Sequence, residues 1–291
     1  MLIYLDCDTG IDDALAIAYL LAHPDVTLAG IGTVNGNTTA PQAAANTLGL
    51  LALAGRDDIP VAVGSGEHPY AVSVHGGNGI GEVALPVGKD PDPRTAEALL
   101  LDLARRHPGE LHVIATGPCG NLAAALRAEP RLPELVAGVT VMGGAVRVPG
   151  NRTPHAEANI IHDPAAAATV LSAPWPVTLV PLDVTMQHRW TVADGEALRA
   201  AGTPLHRALA EMVPVYFSGY EQVLGVREIP LHDPLAAAIT VGEVTPDEAP
   251  LLSIGVEADG RTVEEGPGDV RTVLSLTAPA GPVMLARILT L

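Results

Sequence analysis

Four aspartates lie within residues 6–13, directly after an apolar run. That run, residues 2–5, is typical of a buried strand, and the pair Thr9-Gly10 predicts the turn that ends it. An apolar helical pattern follows over residues 14–22. The aspartates therefore lie where a first strand ends and a first helix begins. Open α/β sheets bind their ligands at this position.

Crowding of Asp6, Asp8, Asp12 and Asp13 indicates a metal site. Neighbouring carboxylates raise one another's pKa unless a cation neutralises them. An Asp at a helix start is commonly an N-cap, which accounts for one or two of the four but not for all. We therefore expect a divalent cation with hard oxygen ligands, either Mg²⁺ or Ca²⁺.

The composition limits the partners of this 291-residue chain. Hydrophobic residues make up 48% of it but aromatic residues only 3%, so the core is built from Ala, Leu, Val and Ile. A net charge of −17 argues against nucleic acid or an anionic membrane as partner. No apolar run could span a bilayer, no signal-peptide pattern opens the chain, and two cysteines are too few for a disulfide framework. We expect a soluble cytoplasmic protein.

Strand and helix patterns alternate along the chain. The predicted strands are residues 2–5, 26–34, 59–63, 112–115, 138–142 and 176–182. The predicted helices are residues 14–22, 41–54, 95–107, 121–128, 165–171, 192–201, 205–219 and 235–239. Residues 64–94 and 145–160 are predicted to be irregular, and the chain from about residue 249 is predicted to be β-rich. The alternation predicts a single α/β domain over residues 1–291, with a mostly parallel, Rossmann-like sheet and helices on both faces.

Polar residues follow the predicted strands, and a parallel sheet brings such strand ends to one edge. Simpler roles explain some of them: Asp163 is predicted to cap a helix and Asn35 to form a turn. For His232-Asp233 two interpretations stay open, a helix cap beside a loop histidine or an oxygen ligand beside a proton donor. The residues at this edge are Asp8, Asp12, Asp13, Asn35, Asn37, Thr116, Asn151, Glu157, Asn159, His232 and Asp233.

Other familiar catalytic motifs are missing from the sequence. The Gly-rich stretch around His75 does not join a strand to a helix, so it is a weak signal for phosphate binding. There is neither a P-loop nor a Gly-x-Ser-x-Gly elbow. Acids beside Cys7 would raise its pKa, which argues against a nucleophilic thiol.

With these residues in view, the chain resembles the nucleoside hydrolases, the inosine/uridine-preferring N-ribohydrolase family. The resemblance runs from residue 2 to about residue 240 and is carried by several motifs in family order. They are Asp6-Cys7-Asp8-Thr9-Gly10-Ile11-Asp12-Asp13-Ala14, Thr33-Val34-Asn35-Gly36-Asn37, Ala115-Thr116-Gly117-Pro118-Cys119-Gly120-Asn121-Leu122, Met142-Gly143-Gly144-Ala145, Gly150-Asn151-x-Thr153-Pro154-x-Ala156-Glu157-x-Asn159, Asp163-Pro164, Leu182-Asp183-Val184-Thr185 and Leu231-His232-Asp233-Pro234-Leu235-Ala236.

The resemblance implies the nucleoside hydrolase fold and hydrolysis of the N-glycosidic bond of purine or pyrimidine ribonucleosides. It implies that Asp8 is the general base, that His232 helps to protonate the leaving base, and that Asp6 supports the ligand loop. It implies a homo-oligomer, either a dimer or a tetramer. The implied Ca²⁺ ligands are Asp8, Asp13, the Thr116 carbonyl and Asp233. The implied substrate-binding residues are Asp12, Asn37, His75, Asn151, Glu157 and Asn159.

Two departures from the family pattern fall, we expect, on the base side of the pocket. Ala158 stands where the family usually has an aromatic residue, and Gly79-Ile80-Gly81-Glu82 lacks the usual Asp. Tyr216 and Tyr220 share one helix face at i, i+4 spacing, so they either contact the base or pack in the core. The sequence therefore leaves the preferred base open.

Two rival functions remain. Asp6-x-Asp8-Thr9 after an apolar strand also suits a haloacid-dehalogenase-like phosphatase with an aspartyl nucleophile and Mg²⁺. That chemistry does not require Asp12-Asp13 or the polar residues at 151–159. The second rival is a nucleoside-binding protein without turnover, against which the presence of both Asp8 and His232 argues.

Overall fold

The structure is a computed structural model that describes residues 1–64 and 74–291. The remaining residues, 65–73, belong to the predicted irregular segment, and the prediction for them lies outside the described residues. The described strands are β1 Leu2–Cys7, β2 Thr27–Thr33, β3 Val61–Val63, β4 Leu111–Ala115, β5 Val136–Met142, β6 Val177–Val180, β7 Arg189–Thr191, β8 Glu228–Pro230, β9 Pro246–Glu248, β10 Leu251–Val256, β11 Thr262–Pro267, β12 Val270–Thr272 and β13 Ser275–Leu276.

The helices divide between long helices that cover the sheet and single turns that follow strands. They are α1 Ile11–Ala22, α2 Ala40–Leu53, α3 Ala96–Arg106, α4 Gly120–Ala128, α5 Leu132–Leu135, α6 Ala158–His162, α7 Pro164–Leu171, α8 Leu182–Thr185, α9 Val192–Ala201, α10 Pro204–Leu224, α11 His232–Thr240 and α12 Gly281–Ile288. No helix in residues 1–64 or 74–291 has the length and apolar character needed to cross a bilayer.

The central sheet of the described chain has the strand order β11-β10-β12-β6-β5-β4-β1-β2-β3. Pairing is parallel from β3 through β12, and β10 is antiparallel to both of its neighbours. The run from β3 to β12 has the Rossmann order, in which the chain reverses direction across the sheet beside the first strand. The predicted Rossmann-like sheet is confirmed, and its ligand crevice lies at the ends of β1 and β4.

Both faces of the sheet are covered, as predicted. Alternate residues of β1 enter different cores: Ile3 and Leu5 pack with α1 and α11, whereas Tyr4 packs with α3 and α4. This alternation is the two-residue period of a strand that is buried on both sides. The resulting rigid sheet fixes the residues that follow β1, β4 and β5.

The predicted elements are confirmed in kind, with three exceptions. The strand predicted at 176–182 ends at Val180, and the single turn α8 follows it. The predicted loop 145–160 contains the start of α6, and the β-rich C-terminal part ends in helix α12. Residues 74–94 contain turns and an isolated bridge from Ala62 to Asp92 rather than a helix or strand, in agreement with the prediction for that part of the segment.

Candidate active site

The first aspartates are placed by the turn that joins β1 to α1. The backbone N–H of Gly10 donates a hydrogen bond to Oδ2 of Asp13 at 2.7 Å, so Asp13 contributes to the N-terminal cap of α1. Gly10 itself fits tightly, because a Cβ there would lie 2.6 Å from Nδ2 of Asn37. Capping therefore explains the position of one of the four aspartates. This agrees with the one or two expected from the sequence.

Asp12, Asp13 and Asp233 form a buried carboxylate cluster. Each offers one oxygen, and these oxygens lie within 4.8 Å of one another. The hydroxyl of Thr116, at the end of β4, donates to Oδ1 of Asp13 at 2.7 Å. These contacts bring together helix α1, the end of β4 and helix α11. We expected this from the convergence of strand ends at one edge of the sheet.

Asp8 is a close neighbour of Asp13, and the backbone holds one of its two carboxylate oxygens. Its Oδ2 accepts the backbone N–H of Asn37 at 2.5 Å. Its Oδ1 is buried and has no hydrogen-bond partner within the described ranges. A buried carboxylate oxygen without a partner is costly, and a bound cation or water would satisfy it.

Electrostatics of the cluster favour a cation. Burial first, and then mutual repulsion, raise the pKa values of Asp8, Asp13 and Asp233 above their usual range. Burial also raises the pKa of Asp6 to about 8, against a hydrogen bond of 3.0 Å from Nδ2 of Asn121. A divalent ion would remove this repulsion, so the donor set of hard oxygens fits the metal that the sequence predicts.

Helix α11 excludes one of the two interpretations of His232-Asp233, the helix cap. The helix begins at His232 with Leu231 at its N-cap, and no side chain caps it. Asp233 therefore faces the carboxylate cluster rather than capping the helix. Asp163 does cap helix α7, where its Oδ1 accepts from the N–H of Ala166 at 2.9 Å, as predicted.

Aromatic and imidazole rings form one wall of the pocket. His75 stacks on Tyr216 with ring centroids 4.7 Å apart, and Tyr216 meets Tyr220 edge-on at 4.9 Å. The Tyr216 hydroxyl donates to Oδ2 of Asp12 at 3.1 Å. These side chains of α10 thus both pack and line the pocket, which combines the two alternatives left open by the sequence.

His232 is held between two hydroxyl groups. Its Nε2 lies 2.7 Å from the Tyr220 hydroxyl, and its Nδ1 lies 2.7 Å from Oγ1 of Thr185 in α8. Burial lowers the pKa values of His232 and His75 to about 4, so both rings are neutral at pH 7. The 3.7 Å contact from Nε2 of His75 to Oδ1 of Asp12 is therefore a polar contact, not an ion pair.

The loop after β5 supplies the remaining polar groups. The carboxylate of Glu157 accepts the backbone N–H groups of Gly144, Asn159 and Ile160 at 2.9–3.1 Å. Nδ2 of Asn159 donates to the Thr116 carbonyl at 2.7 Å. The predicted carbonyl ligand and a predicted ribose-binding amide are therefore direct neighbours.

One pocket gathers most of the predicted residues. Asp8 and Asp13 are buried beside it and do not line it. Burial, followed by the charge of Asp13, raises the pKa of the Cys7 thiol, which argues against a nucleophilic role, as the sequence did. The predicted residues that line the pocket are Asp12, Asn37, His75, Thr116, Asn151, Glu157, Asn159, Tyr216, Tyr220, His232 and Asp233.

Two residues, one that lines the pocket and one that contacts a lining residue, had been assigned no role from the sequence. Arg152 lines the pocket next to Asn151, and its only signal was a basic residue inside the Asn151-to-Asn159 motif. Thr185 contacts His232, and its only signal was membership of the motif Leu182-Asp183-Val184-Thr185.

A Rossmann-like sheet with buried carboxylates at its carboxyl edge and rings on one wall defines an α/β protein whose pocket residues fit a cation and a ligand that carries hydroxyl groups and an aromatic ring. The chain belongs to the inosine-uridine preferring nucleoside hydrolase family, whose model matches residues 3–280. It is therefore an enzyme that hydrolyses N-glycosyl bonds of ribonucleosides. This membership decides against the phosphatase alternative.

Individual relatives agree with this family. The chain is 37% identical over 243 residues to a pyrimidine-specific ribonucleoside hydrolase, RihA, of Citrobacter koseri, covering 81% of this chain and 78% of that protein. It is 36% identical to a probable uridine nucleosidase 2 of Arabidopsis thaliana, covering 80% and 74%. A purine-preferring ribonucleoside hydrolase from Gardnerella vaginalis has a similar structure, with a TM-score of 0.92 and 30% identity over 100% of this chain and 97% of that one.

Proposed function

We propose that this enzyme is a Ca²⁺-dependent hydrolase of ribonucleosides with a preference for pyrimidine bases. The observation that carries the proposal is one pocket in which buried carboxylates lie beside a hydrogen-bonded imidazole and phenol. Carboxylates suit the positive charge that develops on ribose, and the imidazole–phenol pair suits the leaving base.

The residues that would hold Ca²⁺ are Asp8, Asp13, Asp233 and the Thr116 carbonyl. The chemistry supplied by the bound ion is a lowered pKa of coordinated water and a fixed position for sugar hydroxyls. Ca²⁺ is favoured over Mg²⁺ because a set of carboxylates, a backbone carbonyl and substrate hydroxyls suits a flexible shell of six to eight oxygens.

Asp8 is the proposed general base. Its Oδ1 is one of two buried carboxylate oxygens, with Oδ2 of Asp6, that have no hydrogen-bond partner in the described part of the chain, and it would accept a proton from the attacking water. The backbone N–H of Asn37 holds the other oxygen and thereby fixes the carboxylate plane. Direct attack by water at C1′ predicts inversion of configuration and no covalent intermediate.

Ribose is the proposed ligand of the polar groups around the cluster. Asp12, Asn37 and Asn159 would bind the 2′ and 3′ hydroxyls, because they line the pocket around Asp233 and Thr116. Asn151 and Glu157 would face C5′. Anchored hydroxyls hold the sugar in a reactive conformation, which lowers the entropy cost of the reaction.

Departure of the base requires a proton, which His232 and Tyr220 would supply. Both rings are buried on the wall formed by α10 and α11, and their polar atoms are in hydrogen-bond contact. Such proton transfer contributes about 10²- to 10⁴-fold in rate. His75 and Tyr216 would pack on the base through their stacked rings.

A substrate panel tests the proposal. We expect uridine and cytidine to be cleaved faster than inosine, adenosine and guanosine, in line with the names of the curated relatives. A chelator should abolish base release, and excess Ca²⁺ should restore it. Failure to cleave any ribonucleoside would overturn the proposal, and faster cleavage of inosine would overturn the base preference.

The alternative of a binding protein without turnover is tested at Asp8. Asp8→Ala, assayed at saturating Ca²⁺ because Asp8 is also a proposed ligand of the ion, should still bind uridine in equilibrium dialysis but release no uracil. Asp259→Asn is the control, because it removes one negative charge from an exposed turn. Unchanged cleavage by Asp8→Ala would overturn the role of Asp8. Binding of uridine by the wild-type protein without any cleavage would favour the binding-protein alternative.

We also propose a homo-oligomer, a dimer or a tetramer, as the resemblance implies. Light scattering coupled to size-exclusion chromatography would measure the mass of the particle. A mass of one 29.9 kDa chain at all concentrations would contradict this proposal.

A further inference from the structure

The segment that follows β5, residues 144–147, is held by side chains from three other parts of the chain. Each of its four backbone N–H groups donates a hydrogen bond to a buried side chain. In order along the segment, the acceptors are Glu157 at 3.0 Å, Thr262 at 2.9 Å and the two carboxylate oxygens of Asp183 at 2.9 and 2.8 Å. Buried polar groups that are all satisfied in this way keep one arrangement, so the segment is a rigid support.

Thr262 bonds to both backbone groups of Ala145. Its Oγ1 accepts the Ala145 N–H and donates to the Ala145 carbonyl, each at 2.9 Å. Its methyl group lies against the preceding residue, Gly144, where a Cβ would be 3.1 Å from that methyl and φ is +85°. Because Thr262 is only 3% exposed, loss of the hydroxyl would take these bonds from a buried backbone with little water to replace them.

The start of β11 contacts both ends of the loop formed by residues 145–156. Thr262 bonds to the first residue of this loop, and Arg261 forms an antiparallel bridge with the last, Ala156. The loop carries Asn151 and leads directly into helix α6. The C-terminal hairpin of β10 and β11 therefore closes the base of a loop that borders the pocket.

Glu157 connects this support to the ribose end of the pocket. Its Oε1 accepts the N–H of Asn159, and its Oε2 accepts the N–H groups of Ile160 and Gly144. Two of these donors belong to the start of α6, whereas Gly144 belongs to the segment that Thr262 holds. A displacement of that segment would remove one of the two bonds to Oε2 and change the orientation of the carboxylate.

We propose that Thr262 is a positioning residue for the ribose end of the pocket, and that the selectivity of the enzyme for nucleosides with a 5′ hydroxyl depends on it. This inference rests on the proposed function, in which Glu157 faces C5′. Thr262 is not among the described residues that line the pocket, and it acts on Glu157 through the backbone of residues 144 and 145. A carboxylate that is already fixed loses less entropy when it binds the hydroxyl, so its hydrogen bond contributes more to catalysis.

The test compares uridine with 5′-deoxyuridine, which lacks the proposed partner of Glu157. We expect wild-type enzyme to have the higher kcat/KM on uridine. Thr262→Val keeps the shape and removes the hydroxyl, so it should lower the ratio of kcat/KM for uridine to that for 5′-deoxyuridine about tenfold. Thr262→Ser keeps the hydroxyl and should hold this ratio within about threefold of wild type.

A matched control and a second variant accompany these measurements. Thr272→Val removes a buried hydroxyl from strand β12, where it bonds to the Val270 carbonyl, and should leave the ratio unchanged. Gly144→Ala disturbs the same contact from the other side, because its Cβ would crowd the Thr262 methyl in a left-handed backbone. It should lower the ratio in the same direction, and it tests the inference even if Thr262→Val does not fold.

A double variant tests whether Thr262 acts through Glu157. In a Glu157→Gln background, Thr262→Val should change the ratio less than it does in wild type, because both substitutions affect one contact. Equal losses on the two substrates in Thr262→Val and in Gly144→Ala would overturn this inference alone. Equal kcat/KM of the wild-type enzyme on both substrates would overturn the placement of Glu157 at C5′ and this inference with it, and failure to cleave uridine would overturn the proposed function.

Discussion

The hydroxyl of Tyr220 lies 2.7 Å from Nε2 of His232, and both side chains are buried on the wall of the pocket. Burial raises the pKa of Tyr220 above its usual range and lowers that of His232 to about 4. At neutral pH the pair is therefore uncharged and shares one hydrogen bond. A phenol and an imidazole in this state can pass a proton to a leaving base without a buried charge at rest.

Tyr220→Phe should lower kcat for uridine about 10- to 100-fold and change KM little, because it removes a proton path and keeps the ring. The same variant should cleave 4-nitrophenyl riboside at close to the wild-type rate, since nitrophenolate leaves without a proton. Steady-state kinetics on both substrates measures the difference. Equal losses on both would show that the hydroxyl has a structural rather than a proton-transfer role.

Thr185→Val should lower kcat about tenfold, because Nδ1 of His232 loses its hydroxyl partner and the ring loses its fixed orientation. Thr185→Ser keeps the hydroxyl and should restore most of the activity. KM for uridine should stay within about twofold in both. A wild-type kcat in Thr185→Val, or a Thr185→Ser variant as impaired as Thr185→Val, would contradict this role of the hydroxyl.

Gly36→Ala should disturb Asp8, because a Cβ at position 36 would lie 1.9 Å from its Oδ2. We expect a loss of about 1–3 kcal/mol in the free energy of unfolding and weaker Ca²⁺ binding by calorimetry. Gly195→Ala is the matched control, since its nearest contact is 3.4 Å and it lies inside helix α9. That control should stabilise the protein by about 0.5–1 kcal/mol. Normal Ca²⁺ affinity in Gly36→Ala would contradict the proposed position of Asp8.

His188 should make the protein less stable in acid. Its Nδ1 accepts the N–H of Ala280 at 3.3 Å, and burial lowers its pKa below 6.5. Because the folded pKa is the lower one, its contribution to stability is present above pH 6.5 and is lost as the pH falls through the folded value. The stability lost on going from pH 8 to pH 5 should therefore be smaller in His188→Asn, as measured by urea unfolding with Ca²⁺ present. An equal loss in wild type and variant would exclude this histidine as a source of the pH dependence.

The sequence predicted the sheet well because its signals are local. A continuous apolar strand, a turn pair and an acidic helix start at residues 2–13 each leave a mark within a few positions. Helices α8 and α12 were missed, since α8 has only four residues and α12 follows a β-rich region in which strand patterns dominate. Short helices depend on their packing rather than on a periodic pattern.

The sequence predicted which residues belong to the site better than it predicted which of them contact one another. Family motifs named the aspartates and asparagines, but the hydrogen bond from Asn159 to the Thr116 carbonyl joins residues 43 positions apart. The partners of His232 come from α8 and α10, and nothing in a single sequence pairs those residues. Arg152 had no periodic or motif role, so only its place in the pocket distinguishes it from other exposed arginines.

The long separation in sequence between Asp12 and Tyr216 bears on when the site can form during folding. These residues are 204 positions apart and yet share a hydrogen bond, and Asp233 joins the same cluster from still further along the chain. Tyr216 and Asp233 become available to the first aspartates only after more than 200 further residues have been added to the chain. A cation bound at this cluster would therefore cross-link segments more than 200 residues apart, and we expect its capture to follow the packing of those segments against each other.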